Sequence, residues 1–223
     1  LIRQPARSAR TSGREPIFNN VPAVVLWLLV ANLAVEFILQ LSQWQVGFPT
    51  LRNRVYEYGA FWSILLHGSH PVFPLQPVTM FFTYAFLHGG LLHLGVNMIA
   101  LLSFGRAIVR KAGTLRFLVA YFLTSVAGAA CYGLLVKNPA PMVGASGALF
   151  GLAGLWICWN WLNLRSRGQS TRAIRRVLIY LVAYNVVFYF LLRGHLAWET
   201  HLGGFVAGWV LGLLWGIPAK RRA

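Results

Sequence analysis

The chain of 223 residues contains no aspartate. Its only acids are Glu15, Glu36, Glu57 and Glu199. The absence of aspartate excludes proteolysis by a paired-aspartate site. HExxH occurs nowhere, which excludes a zinc protease of that type. Charge of either sign is scarce, at 11% of residues, against about 25% in soluble domains. Cysteine is scarce too. Cys131 and Cys158 lie in apolar runs and read as small core residues, not as a disulfide framework.

Hydrophobic residues are abundant, at 57%. Several runs approach the ~20 residues that span a bilayer. The composition therefore predicts an all-α polytopic membrane protein of one domain. The net charge of +16 invites a nucleic-acid reading. The basic residues cluster between apolar spans, however, where anionic lipid and topology account for them better. The partner expected is the lipid bilayer and not nucleic acid. The chain opens on Leu1, which leaves its natural start open. No signal-peptide cleavage site is apparent, and the first apolar run is long enough to remain as an anchor.

Hydropathy predicts six helices: Pro22–Leu41, Leu91–Ile108, Thr114–Val136, Ala145–Leu164, Ala173–Leu192 and His201–Ile217. They define a membrane domain over 21–217. A basic tail at 1–20, expected to be mobile, carries Arg3, Arg7, Arg10 and Arg14. A short basic tail follows at 218–223. The long loop over about 42–90 holds Trp44, Phe48, Tyr56, Tyr58, Phe61 and Trp62, aromatics that favour the membrane interface. Short interfacial helices are expected there. The apolar stretch Ala60–Leu66 is too short to cross.

With six spans, Arg52, Arg54, Lys137 and Arg193 fall on one side, and the rest of the 20 Lys and Arg fall on the other. The positive-inside rule then places both termini in the cytoplasm. The second, fourth and sixth helices all begin at the outer side. Their N-terminal ends carry His93 and Asn97, then Ser146, then His201. Ionisable and polar groups inside a bilayer are costly and mark a site.

A serine hydroxyl becomes a nucleophile when a base takes its proton. Imidazole titrates near neutrality, which makes His201 the candidate base for Ser146. The Ser146 backbone N–H, at a helix N-terminus, is a candidate oxyanion donor. His93 and Asn97, spaced i and i+4, share a helix face and add two more. Gly144 and Gly147 flank the serine and allow close backbone approach. Gly147 and Gly151, with Gly204, Gly208 and Gly212, form small-residue stripes that let the fourth and sixth helices meet. Each piece also has a plainer reading: a packing serine, an interfacial histidine, an inter-helix hydrogen bond. The ordered set at one depth favours chemistry.

The stretches "HGGLLHLGVN" (88–97), "GASG" (144–147) and "HLGGFVAG" (201–208) resemble the rhomboid family of intramembrane serine proteases. The resemblance covers nearly the whole chain except the basic tail. It implies a six-helix bundle and a Ser–His dyad of Ser146 and His201. It also implies an oxyanion site from His93, Asn97 and the Ser146 N–H. Neither a cofactor nor a metal is implied. The substrates implied are transmembrane proteins, cut through an acyl-enzyme at a site opening to the outer side. Compact size and charge asymmetry suggest a bacterial inner membrane.

The sequence departs from the family pattern in places. Thr79-Met80 stands where many members carry Trp-Arg, so the anchoring of the first loop is expected to differ. Phe150 replaces a tyrosine often found under the histidine. His88, at a position often histidine, reads as a structural hydrogen bond or a mechanistic group. Glu36, inside the first helix, is expected to bond the first loop or a neighbouring helix. Glu199 is expected to face outer water. Ser125 reads as packing, and His67, His70 and His195 carry no metal spacing. Two rivals remain at this stage. One is an inactive rhomboid-like protein that binds or sorts membrane clients. The other is a transporter, disfavoured because no internal repeat is found and the polar groups cluster at one end.

Overall fold

The computed structural model describes residues 21–44 and 50–217. Both basic tails, Phe48 and the side chain of Trp44 lie outside the described residues, as do the expectations placed on them. The described residues form eight α-helices: α1 Ala23–Trp44, α2 Leu51–Gly59, α3 Gln76–Thr83, α4 Leu91–Ala112, α5 Thr114–Leu135, α6 Ser146–Ser166, α7 Arg172–Leu191 and α8 Trp198–Trp215. Short 3-10 turns cover Ser63–His67 and Tyr84–Phe86.

The six long helices fall where hydropathy predicts them. Their ends move for local reasons. The second predicted helix runs four residues further and stops at Gly113, whose φ of 91° breaks the helix. The sixth begins at Trp198, so His201 lies inside the first turn and not at its start. Four stretches are long and apolar enough to cross a membrane: Ala23–Ser42, Leu91–Ala112, Thr114–Leu135 and Arg172–Leu191. Helices α6 and α8 fall short in composition because their polar and glycine residues lower the mean hydropathy.

Between lipid-facing helices no hydrophobic force drives association, so close backbone packing and polar contacts must hold the bundle. Helix α6 is the hub. Ala148, Leu149, Leu152, Leu155 and Trp159 pack with Leu94, Met98 and Leu101 of α4 and with Phe117, Ala120 and Tyr121 of α5. Against α8 the contact is backbone on backbone. A Cβ on Gly204 would strike the Gly147 carbonyl, and one on Gly208 the Gly151 carbonyl. By contrast, only Ile174 of α7 is buried. Outward-facing Trp27, Leu92 and Leu134 are exposed, as a lipid-facing surface requires.

The first loop contains the expected short helices, α2 and α3. Its anchor is ionic. Glu36 is fully buried in α1 and pairs with Arg52 of α2 at 2.8 Å. Arg52 also donates to the His88 carbonyl at 2.9 Å, and the Tyr56 hydroxyl donates to it at 2.6 Å. The chain entering α4 is thus pinned to α1 and α2. Glu36 thus bonds the first loop, and the pair supplies an anchor for that loop independent of Thr79-Met80. Phe61 departs from expectation. It is fully buried, bridged through its backbone to Met142, and packs edge-on against Phe81, Tyr84 and Tyr132. Backbone pairing with the segment before Ser146 makes it a core residue, not an interfacial one.

Candidate active site

Ser146 is the first residue of α6. Its N–H therefore lacks an intrahelical acceptor. The turn before it depends on Gly144, whose φ is 127°, a conformation that only glycine adopts without strain. The Gly144 N–H donates to the Tyr84 carbonyl at 3.0 Å. Tyr84 is itself fixed, since its buried hydroxyl donates to the Ser125 carbonyl at 2.9 Å. The Ser125 hydroxyl in turn lies 3.3 Å from the Tyr84 hydroxyl. Ser125 is thus more than packing. It belongs to the scaffold under the GASG turn.

His201 meets the serine. Its Nε2 lies 2.9 Å from Ser146 Oγ, and the ring is nearly buried at 6% exposure. Phe150, one turn along α6, stacks on the imidazole at 4.1 Å between centroids and 6° between planes. The ring that replaces the family tyrosine keeps the stacking contact. The glycine contacts of α6 with α8 bring the two helices near enough for this hydrogen bond.

His93 and Asn97 of α4 converge on the same turn. A Cβ on Gly144 would lie 2.7 Å from the His93 ring and 3.8 Å from Asn97 Nδ2. Asn97 is buried, and its Nδ2 has no partner among the described residues. A buried unpaired donor costs roughly 1–3 kcal/mol, so its persistence beside the serine favours a ligand-facing role. His93 Nδ1 accepts the Gly89 N–H at 3.3 Å, which leaves Nε2 toward Gly144. The structure therefore places Ser146, His201, His93, Asn97, Gly144, Gly147, Phe150 and Gly204 around the meeting N-terminal ends of α4, α6 and α8, with Gly208 one turn beyond Gly204 on α8.

His88 sits beside this group. Its ring is fully buried, edge-on to His93 at 5.1 Å, with neither nitrogen hydrogen-bonded among the described residues. Burial pushes its pKa down to about 3. The hydrogen bonds at this position go to its carbonyl, not its ring. His67 donates elsewhere, to the Gly133 carbonyl at 3.0 Å. Glu199 makes no hydrogen bond to His201.

One residue was not legible in the sequence. Asn185 of α7 places Oδ1 2.6 Å from His201 Nδ1. A lone Asn in an apolar helix was its only signal, and that signal does not name a partner. Beside it, an apolar cavity of about 480 Å³ lies between α7 and α8, bordered by Phe150, Leu181, Asn185, His201 and Phe205.

A family model described as "Rhomboid domain" matches residues 76–217. The chain is 27% identical over 209 residues to the rhomboid protease GluP of Bacillus subtilis, covering 91% of this chain and 37% of that protein. It is 30% identical to Rhomboid-like protease 3 of Toxoplasma gondii, with 82% and 66% covered. It is 33% identical to RHOMBOID-like protein 5 of Arabidopsis thaliana, with 75% and 50% covered. The chain thus spans from about a third to two thirds of these relatives' lengths. The matched segment contains α3 to α8 and every residue gathered at the Ser146 turn, and the chain belongs to the rhomboid family.

Proposed function

We propose that this protein is an intramembrane serine endopeptidase that cuts peptide bonds in or near transmembrane helices of other membrane proteins. The observation that carries the reading is the 2.9 Å contact of His201 Nε2 with Ser146 Oγ, on a turn faced by unpaired donors. In this reading His201 accepts the serine proton as Oγ attacks the scissile carbonyl. Negative charge on the tetrahedral oxygen is met by the Ser146 N–H, His93 and Asn97. Each such donor contributes about 2.7–4 kcal/mol to lowering the barrier. His201 then protonates the leaving amine and leaves an acyl-enzyme. Water, activated by the same histidine, releases the acid. The stacked Phe150 ring holds the imidazole plane and favours its cationic form by cation–π attraction, roughly 0.5–2 kcal/mol.

The proposed topology has six spans, counting α6 and α8, with both termini cytoplasmic. At 1.5 Å per residue, the 21 and 18 residues of α6 and α8 reach about 31 and 27 Å, close to the ~30 Å hydrocarbon core. The charge pattern supports the direction. Away from Ser146, Lys111 lies over Trp156 and Trp159, Arg116 over Trp215 and Arg165 over Trp161. Such cationic and tryptophan belts suit a cytoplasmic interface. The site would open to the outer side. A helical substrate hides its carbonyls in its own hydrogen bonds, so segments that unwind readily are the expected targets. A bacterial inner membrane is the proposed location.

The test uses purified protein in detergent, a model transmembrane substrate and a fluorophosphonate probe. Wild type is expected to cleave and to label, with both lost in Ser146→Ala and His201→Ala. A folded wild type that does neither overturns the proposal.

A further inference from the structure

We infer that Asn185 is a positioning residue that holds His201 in the tautomer needed to act as a base. This rests on the protease reading above and extends its dyad by a third member on a different helix.

The argument starts from the amide. Asn185 Nδ2 lies 2.8 Å from the Leu181 carbonyl, four residues back on α7. A carbonyl oxygen only accepts, so the NH2 must face it. That leaves Oδ1 facing His201 Nδ1 at 2.6 Å. An amide oxygen likewise only accepts, so Nδ1 must carry the proton. A neutral imidazole has one N–H, and its other nitrogen then presents a lone pair. That nitrogen is Nε2, the atom 2.9 Å from Ser146 Oγ. A backbone carbonyl thus sets an amide, the amide sets a tautomer, and the tautomer faces the nucleophile as an acceptor. In the opposite tautomer Nε2 would carry the hydrogen and could not take the serine proton.

The other groups near the ring do not do this. Phe150 stacks on its face and makes no bond to a ring nitrogen. Glu199, on the same helix, makes no hydrogen bond to it. The role differs from that of a buried aspartate. A neutral amide orients the ring and accepts from the imidazolium without adding a charge to the membrane interior, where an unpaired carboxylate is costly.

The test has two independent readouts. The first is the ring itself, in protein labelled with 15N-histidine and with the His201 signals identified by their loss in His201→Gln. Wild type at neutral pH is expected to show a protonated Nδ1 and an unprotonated Nε2. Asn185→Leu should mix the two tautomers. This readout does not depend on turnover. The second is kinetic. Asn185→Leu should lower kcat by roughly ten- to hundredfold, a part of the ~10²–10⁴ that positioned acid–base catalysis supplies. KM should stay within about twofold, since a residue acting through the base leaves ground-state binding alone. Asn185→Asp retains an acceptor at the same reach and should recover most of the lost kcat. If Asn185→Leu fails to fold, the wild-type spectrum and the Asn185→Asp variant still decide. A wild-type His201 protonated on Nε2 overturns the inference. So does an Asn185→Leu variant with wild-type kcat, or an Asn185→Asp variant as impaired as Asn185→Leu although folded. A wild type that neither cleaves nor labels overturns the protease reading instead, and the spectrum still reports on the hydrogen bond.

Discussion

Gly208→Ala should be among the most damaging single-methyl changes in the protein. A Cβ at this position would fall on the Gly151 carbonyl oxygen, with Gly151 C at 2.6 Å and Cα at 2.9 Å. All three are backbone atoms, so no rotamer change can relieve the clash. Ordinary contact at such a site is near 3.5–4 Å, and α8 must therefore lift from α6 by the order of 1 Å. Over-packing a core costs about 1–3 kcal/mol when side chains can adjust. Here the backbone must move, so about 3 kcal/mol is the expected minimum. The same displacement acts on the Ser146–His201 contact of 2.9 Å, two turns away. A misplacement of ~1 Å in a catalytic pair costs about a hundredfold in rate. The assay is paired: thermal unfolding in detergent, and initial cleavage rates well below the melting range. Gly95→Ala is the control. Gly95 is also helical and near the site, yet its Cβ would meet nothing within 4 Å. Alanine in a helix interior gains about 0.5–1 kcal/mol over glycine, so this variant should be neutral to stabilised. A Gly208→Ala protein with wild-type melting and activity would refute the close-contact account of the α6–α8 interface.

The ionic anchor of the first loop gives a second test. Arg52→Met should cost about 3–5 kcal/mol, because it strands the buried carboxylate of Glu36; Glu36→Leu combined with Arg52→Met should unfold at a higher temperature than Arg52→Met alone. Phe150→Ala should lower kcat several-fold by freeing the imidazole plane stacked at 4.1 Å, whereas Phe150→Tyr should retain activity. Gly144→Ala combines an unfavourable positive φ with a contact 2.7 Å from the His93 ring; labelling by fluorophosphonate should fall at least about tenfold while the protein remains folded. His88 predicts an acid limb in stability. Its folded pKa lies near 3, below the unfolded ~6.5, so the unfolded chain binds the extra proton and stability falls as pH drops from about 6.5 toward 3. Between pH 7 and 5 the loss is about 2 kcal/mol at ~1.36 kcal/mol per pH unit, and His88→Leu should shed that part of the pH dependence in unfolding measurements.

The long helices were legible because each is a single apolar run, and a run of that length needs no partner to be recognised. Ser146, His93, Asn97 and His201 were legible for the opposite reason, as polar residues at helix ends where a bilayer penalises them. What the sequence withheld were pairings. Glu36 stood out as a buried acid, but its partner Arg52 is 16 residues on, in a loop with no periodic pattern. Phe61 looked interfacial, because nothing in its neighbourhood announces a backbone bridge to Met142. Asn185 was invisible for the same reason. One amide in an apolar helix reads as a solvated or packing residue until the facing helix is in place. The ends of α8 slipped because a helix entry with Trp198 and Glu199 before the histidine has no strong capping residue to mark it.

The same contrast divides the two hydrogen bonds of His201 between a tight helix contact and a loose one. Ser146 and His201 ride on α6 and α8, whose backbones touch through facing glycines, so their separation is set by backbone-on-backbone contact. Asn185 rides on α7, which buries only Ile174 and leaves a 480 Å³ apolar gap beside α8. A helix with few buried contacts opens at low cost. Movement of α7 away from α8 would widen the gap next to His201 and withdraw the amide from Nδ1 while the Ser146–His201 contact stays intact. With the amide withdrawn, the base is free to take the wrong tautomer. Closure restores the hydrogen bond and completes the base. Under the proposed mechanism, competence would then depend on α7 being seated, with Ser146 and His201 held across the glycine contact of α6 with α8.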